Sequence, residues 1–273
     1  ANGTISQTET AYWAEHHGGF FGYYTQESES TVVSLTGASP LGEITIPTVA
    51  SLAGIVQYGD GNFATNSQTG TVAALAAEVQ VGDGNFAMQT QELSAAVLAA
   101  TVQYGDRNAA FTRQEAGALN AAGTIQVGND NFAMTTQEGN LDLTNVASID
   151  DVAVVTNNLS LITQLGDDNW AVTSQTSSNN SSLVLQAADK SGALVMQYGD
   201  GGHTSNIIQA GDFSNAYVFQ DGSDNTSTVL QFGVGAGTAA NNAYVAQSAS
   251  GQNAFVLQVG RGNTAAVIQT TNP

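Results

Sequence analysis

The sequence predicts an all-β, two-sided β-solenoid: strand-turn-strand rungs stacked in a cross-β-like column, about nine to ten of them. Three observations carry this. The motif Q-x-G-x-x-N-x-A-x-x-x-Q recurs along the chain. The residues before each closing Gln alternate with a period of two. The only prolines are Pro40, Pro47 and Pro273, so none interrupts 48–272, as an unbroken backbone ladder requires.

The motif has six full copies. They carry Gln57, Asn62 and Gln68; Gln80, Asn85 and Gln91; Gln103, Asn108 and Gln114; Gln126, Asn131 and Gln137; Gln164, Asn169 and Gln175; and Gln258, Asn263 and Gln269. Looser copies start at Gln186, Gln197, Gln209, Gln220 and Gln247, with Asn225 and Gln231 in the same pattern. The early copies recur every 23 residues; from Gln164 a ladder Gln falls every 11 or 12. Eighteen such Gln make nine legible rungs. At about 4.8 Å per rung the stack is roughly 45 Å tall. Two spacings are wider. The 27 residues from Gln137 to Gln164 are read as two half-units with a small insertion. The 16 from Gln231 to Gln247 hold an insertion at Gly233-Val234-Gly235-Ala236-Gly237.

Strand geometry follows from the alternation. Asn225, Ser227, Val229 and Gln231 share one face, and Thr226, Thr228 and Leu230 share the other. Asn263, Ala265, Val267 and Gln269 repeat the first face as amide, small, β-branched, Gln. Turn residues of the Gly-Asp-Gly-Asn type then reverse the chain. One unit cannot bury its own face, so units must stack. An inward amide without a partner costs about 1–3 kcal/mol. In a regular stack the neighbouring copy is that partner, which selects for identity at the position. Ala or Ser four residues before Gln lets the two sheets lie close.

Composition removes several function classes. The chain has 273 residues, 23 acidic side chains against 4 Lys+Arg, and a formal net charge of -19. Four basic residues cannot neutralise a phosphate backbone, which argues against nucleic-acid binding. Without Cys there is no disulfide framework, thiolate nucleophile or zinc-thiolate site. A hydrophobic content of 42% is too high for an acidic disordered tail. No apolar run reaches the roughly 18 residues of a membrane-spanning helix. A start at Ala1 fits a secreted protein whose signal peptide has been removed.

The amide positions Gln57, Asn62 and Gln68, with their counterparts in each later full copy, resemble the curlin repeat of bacterial curli fibre subunits. The resemblance covers about 57–269. It implies a secreted functional-amyloid subunit that self-assembles into an extracellular fibre at the bacterial surface, for biofilm matrix and adhesion. It further implies export through a dedicated outer-membrane pore and nucleation by a minor subunit. This chain has more repeats than the best-known members, two insertions, a more acidic balance and some 50 residues before the first full repeat.

Two regions follow: 1–50, an aromatic-rich arm or cap, and 51–273, the repeat solenoid. The first holds Tyr12, Trp13, His16, His17, Phe20, Phe21, Tyr23 and Tyr24. It reads as a secretion or subunit-joining arm, or as a cap on the solenoid. The last strand, Ala265 to Gln269, keeps the interior pattern, so the C-terminal end is expected to accept the first rung of another copy. Unlike ends that join propagate as a filament. Leu183, Leu185, Tyr217, Phe219, Tyr244, Phe255 and Leu257 are read as one outward apolar stripe, for lateral filament contact or for coverage by 1–50.

Acids stack at the turns. Asp60, Asp83, Asp106, Asp167, Asp189 and Asp212 each lie three residues after a ladder Gln, with Asn129 in the remaining slot. Glu92, Glu115 and Glu138 follow their Gln at the opposite turn. The column is read as solvated, with weak Ca²⁺ binding as the sharper alternative. Arg107, Lys190 and Arg261 fall in these turns as local neutralisation. No enzymatic or cofactor motif is expected. His16 and His17 sit among aromatics and His203 in a turn-like segment, while Asp150-Asp151 and Asp167-Asp168 read as loop acids. The competing functions are a monomeric solenoid adhesin or ice-binding module, for which Thr112, Thr135 and Thr173 make a broken array, and a polysaccharide-processing β-helix enzyme.

Overall fold

A computed structural model of the chain describes residues 32–34, 45–47, 52–69, 71, 73–92, 94–139, 157–233 and 240–270. The aromatic cluster before β1, Asp150-Asp151 and residues 234–237 of the second insertion lie outside the described residues. β1 (Val32–Ser34) pairs antiparallel with β2 (Thr45–Pro47). From Leu52 onward successive strands alternate between two sheets. One sheet contains β3 (Leu52–Tyr58), β5 (Leu75–Val81), β7 (Leu98–Tyr104), β9 (Ala121–Val127), β11 (Leu159–Leu165), β13 (Ser181–Gln186), β15 (Thr204–Gln209), β17 (Thr226–Phe232) and β19 (Asn253–Val259). The other contains β4 (Phe63–Thr69), β6 (Phe86–Glu92), β8 (Ala109–Glu115), β10 (Phe132–Glu138), β12 (Trp170–Thr176), β14 (Gly192–Gln197), β16 (Asn215–Gln220), β18 (Asn242–Gln247) and β20 (Thr264–Gln269). Each sheet has nine strands. The fold is the expected all-β solenoid of two-strand rungs, and no helix occurs among the described residues.

Every neighbouring pair in the two large sheets is parallel and in register, so each ladder Gln stands opposite a ladder Gln. Inward residues are fixed by the pleat. Ala or Ser at the fourth position before Gln is buried throughout the interior, as at Ala87, Ala133, Ser160 and Ala216. A larger side chain there would push the sheets apart. The next inward position changes along the stack. It is Ile or Val over much of the C-terminal part, where Ile162, Val184, Val195, Ile207, Val218, Val229, Val245 and Val256 join one apolar core. Burying each contributes roughly 1.5–3 kcal/mol. In the N-terminal rungs the same position holds Asn66, Glu78, Gln89, Thr101, Thr112 and Thr124, all buried.

The turns explain the motif's glycine. Gly59, Gly82, Gly105, Gly128 and Gly166 all have φ between +115° and +128°. A Cβ at Gly82 would overlap the carbonyl oxygen of Gly105, one rung on. Stacked turns at this spacing leave no room for a side chain. Two residues later the backbone is again left-handed, but a Cβ there meets only ordinary contacts, such as Arg107 Cγ at 3.7 Å for Gly84. Gly84 there is followed in later rungs by Arg107, Asp130 and Asp168.

One spacing was misread from the sequence. Gln137 lies on β10 and Gln164 on β11, which are consecutive strands among the described residues. Gln126 pairs with Gln164 and Gln137 with Gln175. The 27-residue interval thus advances the stack by one half-unit, not two. Spacing alone cannot separate a skipped strand from a lengthened loop.

Gly82→Ala is expected to lower stability by more than about 3 kcal/mol, because strain and backbone overlap combine. Gly84→Asn is expected to stay within about 1 kcal/mol of the parent, since Asn tolerates this backbone region. Urea unfolding of both variants checks the contrast.

Candidate functional site

The sequence-predicted residues assemble into columns. One Gln column runs 57, 80, 103, 126, 164, 186, 209, 231, 258 and the other 68, 91, 114, 137, 175, 197, 220, 247, 269. Within each, Nε2 of one Gln donates to Oε1 of the next at 2.6 to 2.9 Å. All these bonds point from the N-terminal toward the C-terminal end. The other Nε2 hydrogen reaches a backbone carbonyl of the opposite sheet, as Gln80 to Phe63 at 3.0 Å and Gln91 to Leu75 at 3.2 Å. Each interior amide therefore ties rung to rung and sheet to sheet, with its donors and its acceptor all used.

Asn residues form two columns, not one. Asn62, Asn85, Asn108, Asn131 and Asn169 precede strands of the even-numbered sheet. In each, Oδ1 accepts the backbone N–H of the residue one rung on, at 2.9 to 3.1 Å. Asn263 closes this column by donating to Asn241. Asn225 belongs to the opposite column, with Asn120, Asn158 and Asn180. Sequence reading missed those three and Asn241, because it anchored on the Gln that opens the motif. Their signal was the six-residue distance to the Gln that follows.

His203 lies, as expected, in the turn segment before β15 and has a further structural place there. It is 0% exposed and occupies the Asn position between Asn180 and Asn225. Its Nδ1 accepts the Asn225 N–H at 3.3 Å and its Nε2 lies 2.7 Å from the Tyr198 carbonyl. That geometry assigns the neutral tautomer with the proton on Nε2. Burial pushes its pKa below the ordinary value, partly offset by the Tyr198 carbonyl.

The Asp column has a structural use. Asp83 Oδ1 accepts the Asp60 backbone N–H at 2.8 Å, and Asp106 serves Asp83, Asp189 serves Asp167 and Asp212 serves Asp189 in the same way. Asn129 and Asp167 continue the chain of contacts between them. Among the described residues no three His, Asp or Glu side chains form a group that could hold a metal. Arg107 pairs in a fork with Asp130, outside that column, at 2.7 and 2.6 Å. Lys190 lies over the Phe213 ring. Arg113, unremarked in the sequence, pairs with Glu115 and reaches Glu138 at 3.9 Å, so it stands within the Glu column. Burial and the adjacent Glu115 push the Glu92 carboxyl up, and Arg113 partly counters this.

The outward apolar residues form two stripes, not one, because consecutive strands alternate between sheets. Leu183, Leu185, Phe255 and Leu257 belong to β13 and β19; Tyr217, Phe219 and Tyr244 belong to β16 and β18. Along the even-numbered sheet Phe63 stacks on Phe86 at 4.9 Å and Phe111 fills the gap toward Phe132. A groove of about 310 Å³ beside Met88, Phe111, Arg113 and Met134 contains no carboxylate and no histidine. Thr112, Thr135 and Thr173 point inward and are at most 3% exposed, so they present no ice-binding face.

The two ends complete the site. Among the described residues β3 and β4 end the sheets on one side, β19 and β20 on the other. The inner faces of β3 and β20 are partly open, unlike the sealed interior. No end strand carries a charged residue, although charge is the usual protection of an exposed strand edge. The amide polarity makes the ends unlike. Gln57 and Gln68 offer Oε1 acceptors to the next copy; Gln258 and Gln269 offer an Nε2 hydrogen, their other one being bound to Asn242 and Asn253.

Comparison with known proteins gives no match to any family model and no significant match to any curated protein.

Gln103→Ala orphans an N–H of Gln80 and the Oε1 of Gln126, at about 1–3 kcal/mol each; a loss on the order of 4 kcal/mol is expected in urea unfolding. His203→Asn is expected to remain within about 1 kcal/mol of the parent, because Asn already fills that column.

Proposed function

We propose that the chain is the repeating subunit of a curli-like extracellular fibre that grows head to tail, for biofilm matrix and adhesion. The observation that carries this reading is the pair of unlike, uncharged ends. Continuing the stack past β19 and β20 sets Gln258 on Gln57 and Gln269 on Gln68 of the next copy. The same donors then meet the same acceptors as in every interior rung. Ala254 meets Ala53 and Ala265 meets Ala64, so the close approach of the sheets continues too. Backbone polarity agrees: Asn242 N–H and Ser248 N–H bind the carbonyls of Asn263 and Gln269, which leaves Thr264, Ala266 and Ile268 with groups directed outward. Contact between unlike ends does not close on itself and gives a filament. By resemblance to curli subunits, an outer-membrane pore and a minor nucleating subunit are the expected partners, and the cell surface the expected place.

Electron microscopy of the purified chain should show filaments with a meridional reflection near 4.7–4.8 Å and an axial repeat of about 45 Å. Ala266→Pro removes an outward N–H at an edge, a position where proline is tolerated. This variant should keep the monomer's β-sheet signal and lose elongation. Discrete particles from the parent chain, or normal filaments from the variant, contradict the reading.

A further inference from the structure

The first rungs contain a polar cluster with no counterpart elsewhere in the inner column. Asn66 on β4, Glu78 on β5 and Gln89 on β6 all occupy the position two residues before a ladder Gln. They are 4%, 1% and 0% exposed. Five of their atoms have no hydrogen-bond partner: both polar atoms of Asn66, both oxygens of Glu78 and Oε1 of Gln89. Gln89 Nε2 is already committed to Thr101 Oγ1 at 2.9 Å and the Ala77 carbonyl at 3.1 Å.

The balance of donors and acceptors decides the charge state. With Glu78 ionised, four unpartnered oxygens face only the two hydrogens of Asn66 Nδ2 and the hydroxyl hydrogen of Thr101, one donor too few. A protonated carboxyl adds an O–H that can serve Asn66 or Gln89, and its carbonyl can accept from Asn66. Only the neutral acid lets this cluster approach saturation. No other charge helps. The inward residues facing Glu78 are Ile55 from β3, Thr101 from β7, Ala64, Asn66 and Gln68 from β4, and Ala87, Gln89 and Gln91 from β6. None is titratable. The charged groups on or next to these strands, Glu92, Asp60, Asp83 and Asp106, lie outside the inner face and are acidic; Arg107, beyond Asp106, is exposed and paired with Asp130.

We propose that Asn66, Glu78 and Gln89 form a proton-operated latch that sets the N-terminal docking face in order when Glu78 is neutral and loosens it when Glu78 is charged. The link to docking rests on the head-to-tail reading, since Asn66 sits on the strand that would receive Val267 of the next copy. Burial supports the direction, pushing the Glu78 carboxyl from 4.5 to about 8. The folded chain binds this proton more tightly than the unfolded chain does. Stability from the site is complete below 4.5 and is lost as pH rises through about 8.

The test is amide hydrogen exchange on the full chain, corrected for intrinsic rates, between pH 5.5 and 8.5. Protection over 52–92 should fall with rising pH, by up to about tenfold per unit, while 181–231 stays constant. Glu78→Gln should flatten this dependence, and Glu78→Thr, which copies Thr101 of the next strand, gives a second neutral variant. Elongation from preformed fibre ends, measured in parallel, should slow with pH for the parent and not for the variants. Equal pH dependence of exchange in parent and variants overturns the latch. If no fibre forms at any pH the head-to-tail reading fails instead, and exchange still decides the latch.

Discussion

The structure depends on one hydrogen bond repeated in two columns: the buried Gln amide that donates to its copy one rung on. A primary amide carries two N–H donors and a carbonyl acceptor. Inside a dry stack all must be met, and the cost of failure is about 1–3 kcal/mol per group. Identical residues at identical register meet that demand at every level. The donation to the opposite sheet then fixes the spacing of the two walls. Small Ala or Ser, glycine at the first turn position and Asn before each strand are all consequences of bringing those amides into line.

The same bond gives the stack a direction. Every Gln donor points toward the C-terminal end, so the two ends differ chemically even though the rungs are alike. Symmetric ends would permit closed dimers; unlike ends favour open growth. Among the described residues no acidic side chain lies on an end strand, and most lie at the turns. There the Asp side chains accept backbone N–H groups from the neighbouring rung, which combines turn stability with solubility in one column.

Much of this was legible in the sequence. The two Gln columns, the rung count, the small residue and the turn glycine follow from a strict period imposed by stacked backbones. What was missed lay where periodicity is silent. The interval between Gln137 and Gln164 admits two strands or one long loop by length alone. In the second Asn column Asn158 and Asn180 lack the glycine three residues before them, and Asn120 has Gly117 but stands six, not five, residues after Gln114, so all three passed unnoticed. Glu78 is a single acid in a strand whose neighbours are small or apolar, and its burial is visible only once the inner face is assigned. Arg113 among the outer residues needed its Glu115 partner to be located in space.

The central claim is that the C-terminal rung of one copy seats on the N-terminal rung of the next in the interior register. The chain has no Cys, so introduced thiols report on that joint alone. Val56 and Leu257 are outward residues, 52% and 53% exposed, that become neighbours on adjacent strands in this register. The decisive measurement is cross-linking of the Val56→Cys, Leu257→Cys double variant with a short bifunctional thiol reagent during assembly. The account predicts a ladder of covalent multimers from the double variant and monomers from each single variant. Dimers from either single variant, or no multimers from the double variant in assembled material, would contradict it.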